Sequence, residues 1–161
     1  MKRLLFCLVL GALLGSCDPY YDDQIAALGP EAPGVRKGPL HRPGQPCLLC
    51  HDGAVGSPPQ FSVAGTVFVD ANGLVPAVDA AVLLSGADGV DYSAKTNAAG
   101  NFYVSPAQYT PVNPMRVVVK YANSTATMHA HVGRDGSCAG CHTDPAGPAS
   151  AGHVYAVGAP P

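Results

Sequence analysis

Between residues 61 and 132, apolar and polar positions alternate in short runs and do not recur every third or fourth residue. The runs are FSVAGTVFV (61–69), AAVLLS (80–85), DYSAKT (91–96), NFYVSP (101–106), MRVVVKY (115–121) and STATMHAHV (124–132). Successive side chains of a strand point to opposite faces, so each run predicts a short strand with one buried face. DANG, GADG and NAAG stand between runs, and Asn, Asp and Gly accept the backbone angles that tight turns need. HVYAV (153–157) predicts a seventh strand. The pattern therefore predicts a mainly β fold, a six- or seven-stranded sandwich.

Composition agrees. The 161 residues include 19 Gly and 16 Pro, and only 12% are charged, which disfavours a helical bundle. A formal net charge of -2 supplies no basic patch, so nucleic acid is excluded as a partner.

The chain opens MKRLLFCLVLGALLGSC: two basic residues, an apolar run from Leu4 to Leu14, then small residues. This predicts a secretory signal peptide over residues 1–16, too short for a stable span. Leu14, Gly15, Ser16 and Cys17 resemble the lipobox of bacterial lipoproteins. That resemblance implies cleavage before Cys17, lipid on its sulfur and amine, and tethering to the membrane of a bacterial envelope. Residues 17–46 are rich in Pro and Gly and are expected to form a flexible tether, with a short helix near Gln24 to Leu28.

The cysteines change the picture most. Of six, Cys7 falls in the signal peptide and Cys17 in the lipobox. The other four form CLLCH (47–51) and CAGCH (138–142). CxxCH is the attachment sequence of c-type haem. Two thiols on one side of a turn suit the two vinyl groups of one porphyrin, and the next residue, histidine, suits the iron beneath. On this reading Cys47, Cys50 and His51 hold one haem, and Cys138, Cys141 and His142 hold a second. One structural zinc on four thiolates leaves both histidines unexplained, and the interval between motifs far exceeds zinc-site spacing. Disulfides leave them unexplained too. A thioredoxin-like pair needs a strand-then-helix context that is absent.

On these six residues the chain resembles the small dihaem and multihaem c-type cytochromes. The resemblance implies two covalently attached haem c groups and single-electron transfer to redox partner proteins. Between the motifs, AGTVF, AVDAAVLLSGADG and KTNAAGNFYV resemble the carboxypeptidase regulatory-like, or transthyretin-like, domain, an immunoglobulin-like sandwich. That likeness implies Gly100 in a hairpin turn, Phe102 in the core, and a scaffold without chemistry of its own. The organisation expected is a first haem-binding loop (47–60), a sandwich (61–132), and a second loop with the C-terminal strand (133–161). The two haem segments also echo one another, CLLCHDG…PP…SVAGTVFV and CAGCHTDPAGPASAGHVYAV. Similar haem loops or convergent turn residues explain this equally.

Each iron has a second axial face. His41, His129, His131, His153, Met115 and Met128 are the spare candidates. In the sixth run Ala126, Met128, Ala130 and Val132 share an apolar face, so Met128 is assigned to packing, as is Met115 beside Val117 and Val119. His129 and His131 share the polar face and are candidate iron ligands, as is His41, six residues before Cys47. Six antiparallel strands between the motifs form an even number, so both motifs are expected at one end of the sandwich, with His129 and His131 near it. The reading is a membrane-tethered dihaem cytochrome c. The alternatives are a dihaem peroxidase-type enzyme, for which no acid–base set is visible, and a non-haem sandwich carrying structural zinc.

Overall fold

The computed structural model describes residues 19–31, 34–54, 58–143 and 145–157; the expected signal peptide and Cys17 lie outside the described residues. Among the described residues, seven strands form two sheets: β1 (Val63–Thr66), β2 (Ala81–Ser85), β3 (Asp91–Lys95), β4 (Asn101–Val104), β5 (Arg116–Tyr121), β6 (Ser124–Thr127) and β7 (Gly136–Ser137). One sheet has the order β4-β1-β7 and the other β3-β2-β5-β6. All pairings are antiparallel except β1 with β7, which is parallel. The six runs between the motifs thus each become a strand, and the fold is mainly β.

Alternation places the core. Val82 and Leu84 of β2, and Val117 and Val119 of β5, turn inward from the larger sheet. Val63, Phe102 and Val104 join them from the smaller sheet, with Val67 and Met115. Phe102 is 1% exposed. Phe102→Ala is expected to destabilise the fold by about 3–5 kcal/mol, as lost transfer energy and a residual cavity add; denaturant unfolding measures it. The NAAG turn before it requires glycine: Gly100 has φ +75°, and a Cβ there would run into the Val67 carbonyl.

Two strand expectations need correction. His153–Val157 is not a full strand. It makes one parallel bridge, Tyr155 to Phe68, flanked by Phe68 N–H to Val154 O (2.8 Å) and Ala156 N–H to Phe68 O (2.9 Å). The seventh strand is instead Gly136–Ser137, where Gly136 passes so close to Ser62 that a side chain has no room. The sixth run also stops pairing early. β6 ends at Thr127, and pairing resumes at the bridge from Met115 to Val132. His129, Ala130 and His131 lie between, all exposed.

All of β1 is buried: the helix α2 (Cys47–His51) and the turn at Cys138–Gly140 pack on it, and Gly44 is hydrogen-bonded to Thr66. A further helix, α1 (Pro19–Ala27), packs against α2. The expected helix near Gln24 to Leu28 therefore starts earlier. Residues 39–44, expected as the end of a free tether, are instead fastened to β1, to β4 and to the turn before β4. Among the described residues no helix is long and apolar enough to cross a membrane.

Candidate functional site

The first motif is a single turn of helix. Pro46 precedes it and its carbonyl accepts from Leu49 N–H at 3.0 Å. Proline suits this place because its carbonyl can accept while its missing N–H is not needed. One helical turn brings Cys47 and Cys50 to the same side. The second motif forms a 3-10 turn over Cys138–Gly140, closed by His142 N–H to Cys138 O at 2.9 Å.

Both motif histidines are oriented alike. Nδ1 of His51 lies 2.8 Å from the Pro59 carbonyl, and Nδ1 of His142 lies 2.7 Å from the Gly152 carbonyl. A carbonyl only accepts, so in each ring the proton sits on Nδ1 and the lone pair on Nε2. This is the usual arrangement behind a metal-ligating histidine. Return hydrogen bonds close both loops: Phe61 N–H to His51 O (2.7 Å) and Ala151 N–H to Cys141 O (2.9 Å). The echo seen between the two segments therefore extends to their geometry.

Beside the first motif is a cavity of about 730 Å³, within the roughly 300–1,000 Å³ of cofactor pockets. Cys47, Cys50 and His51 form part of its wall, and Ile25, Leu28, Phe61 and Tyr103 supply apolar surface. Lys37 and Arg42 also line it. So does His41, whose ring centroid is 5.9 Å from that of His51. Two imidazoles bound at about 2 Å to one metal between them have centroids roughly 6 Å apart, so this pair could hold one metal. His41 Nδ1 lies 3.5 Å from Glu31 Oε1 and is buried without a hydrogen-bond partner. The His51 ring packs on Phe61 (4.8 Å), which stacks on Tyr103 (4.9 Å). Thiol pair, oriented imidazoles and apolar volume together fit a haem.

The second motif is more open. Cys141 is exposed. A methyl group on Gly65 would come within 2.7 Å of Cys138 Cβ, so glycine in β1 is what lets Cys138 pack there. A cleft of about 10 Å³ lies among Cys138, His142, Thr66, Phe68 and His153. His153 sits edge-on to Phe68 (4.9 Å), with Nδ1 3.2 Å from the Ala71 carbonyl.

The two motifs are neighbours, but the count that led to this expectation was wrong: seven strands, not six, lie between them, and β7 runs parallel to β1. α2 packs against β1 and β7, and the 3-10 turn packs on β1. Burial pushes the Cys138 thiol up to about 12, and the adjacent Cys47, Asp135 and Cys141 add to the shift. Burial also raises Cys47 and Cys50; Arg42 opposes the rise at Cys50. Among the described residues no group of three or more Cys, His, Asp and Glu converges on a common point for a metal ion.

His129 and His131, expected near this end, line neither cavity. They follow β6, at the edge of the larger sheet, whereas both motifs flank the smaller one. His131 Nε2 accepts from Arg116 Nε at 3.2 Å. Met115 is core and Met128 packs on it, as assigned from the alternation. Sequence reasoning missed the roles of Glu31, Thr66 and Asn101. It also missed Ile25 and Leu28 as a cavity wall, although their i, i+3 spacing marks one helix face. Searches against protein-family models, curated proteins and solved structures give no match for this chain.

Proposed function

We propose that the protein is a dihaem cytochrome c that relays single electrons, held to a bacterial envelope membrane by lipid on Cys17. The observation that carries this reading is the first-motif cavity. It combines a CxxC thiol pair, a histidine with its lone pair set on Nε2, and a second histidine at the separation one iron requires.

When bound, each haem iron supplies a one-electron couple. The chain supplies the rest. Cys47 and Cys50 would hold one haem through their thiols, and Cys138 and Cys141 the other. His51 and His142, each fixed by its carbonyl partner, would supply an imidazole ligand to each, and His41 would supply a further one to the first. Ile25, Leu28 and Phe61 exclude water, which sets the cost of changing charge at the metal. Lys37 and Arg42 offer positive charge to the porphyrin carboxylates. Adjacent motifs keep the two groups close enough to exchange electrons before a redox partner protein is met.

Exported from a host with haem-attachment machinery, the protein is expected to be red. A pyridine haemochrome assay should report two c-type haems per chain, and intact mass should show both as covalent. Colourless protein that carries zinc would sink the reading.

A further inference from the structure

Resting on the dihaem reading, we infer that Asn101 is the positioning residue for His41, so that the strand pair β1–β4 holds the sixth ligand of one haem in place. His41 lies in a loop without ladder hydrogen bonds. Arg42 has φ +49° and Gly44 φ +80°. A Pro- and Gly-rich segment of this kind has no intrinsic reason to aim a side chain.

Its backbone is instead tied to the sandwich on both sides of the histidine. The Asn101 side-chain amide donates to the His41 carbonyl at 3.0 Å and to the Pro39 carbonyl at 3.3 Å. Asn97 Nδ2 donates to Pro39 O as well, at 2.6 Å. Beyond the histidine, Gly44 N–H donates to Thr66 Oγ1 at 2.8 Å. Thr66 Oγ1 in turn donates to Asn101 Oδ1 at 2.7 Å. Thr66 and Asn101 stand opposite one another in the β1–β4 register.

The residue types are what this arrangement needs. Asparagine has one acceptor and two donor hydrogens, and a hydroxyl both donates and accepts. Here each of these capacities is used. Thr66 and Asn101 are 5% and 4% exposed, so water does not substitute for the network. Ligand geometry is sensitive to small displacements when the supporting residues are lost. The network therefore decides whether His41 stays within reach of the metal. It also gives the sandwich a part in the redox site.

The test compares wild type, Asn101→Leu, Thr66→Val and His41→Ala, each exported with haem attached. Covalent haem count is read by mass, and spin state by ferric absorption and electron paramagnetic resonance. Asn101→Leu and Thr66→Val should keep two covalent haems, while one haem loses its low-spin signature and the other keeps its own. Added imidazole should restore the lost signature by occupying the vacated position, and retention of the other haem's signature separates this from a general structural defect. If Asn101→Leu does not fold, Thr66→Val decides alone. Native low-spin spectra in every folded network variant, with His41→Ala converting one haem, overturn the positioning role alone. An unchanged spectrum in His41→Ala overturns His41 ligation and the inference with it. Protein without covalent haem overturns the dihaem reading itself.

Discussion

Replacing Cys47 and Cys50 with serine is expected to remove one haem of the two and to loosen α1. Replacing Cys138 and Cys141 is expected to remove one haem and leave α1 in place. The first cavity, of about 730 Å³, is walled by Ile25 and Leu28 from the segment of α1. The cavity opens to solvent and Glu31, Lys37 and Arg42 also line it, so without an occupant it takes up water, and its Ile25, Leu28 and Phe61 surface faces that water at a cost in transfer free energy. That cost loosens the helix. The second motif encloses only a small cleft, and Cys141 is exposed, so its emptying leaves little unfilled volume. Pyridine haemochrome counts should fall from two to one in both variants. Limited proteolysis between Tyr20 and Glu31 should accelerate only in the first. Equal proteolysis in both would mean that the cavity is not filled from Cys47 and Cys50.

The strands were legible because a half-buried strand writes its burial into every second residue. RVVVKY and AVLLS each place their buried valines and leucine as the alternation demands. Gly100 in the turn and Phe102 in the core were implied by the resemblance to the carboxypeptidase regulatory-like domain, and the structure has them there, Gly100 at φ +75° and Phe102 buried. Gly136–Ser137 was not legible. Two residues show no period, and what makes them a strand is close approach to Ser62, a long-range fact. HVYAV has the pattern of a strand but meets β1's extension only at Tyr155. The motifs are neighbours, but not for the reason the strand count gave: seven strands lie between them, and β7 runs parallel to β1.

The same limit governed the candidate site. CxxCH is local chemistry and reads directly. Distal ligands are not local. His129 and His131 lay on a polar face, which locates them only at a surface, and the surface belongs to the other sheet. His41 was visible as a histidine near Cys47, but its aim depends on Asn101, sixty residues away in sequence. A buried asparagine opening a strand was the one signal that something polar had to be held there.

His41→Met should raise the midpoint potential of one haem and leave the other unchanged. Histidine pairs stabilise ferric iron more than a histidine–methionine pair, and axial ligation spans roughly 0.8 V across haem proteins. The change should be a sizeable part of that span, because two effects act together. Imidazole is replaced by a weaker, softer donor. The carboxylate of Glu31, 3.5 Å from His41 Nδ1, also loses the ring through which it passes negative charge toward the metal. Glu31→Gln should therefore shift the same haem in the same direction by less, since the imidazole remains. Redox titration followed by absorption resolves the two couples, and His142, held by Gly152 within the second motif, gives the reference that should not move. If His41→Met leaves both midpoints where they were, the short separation between His41 and His51 is ring packing, and the sixth ligand of the first haem must come from elsewhere.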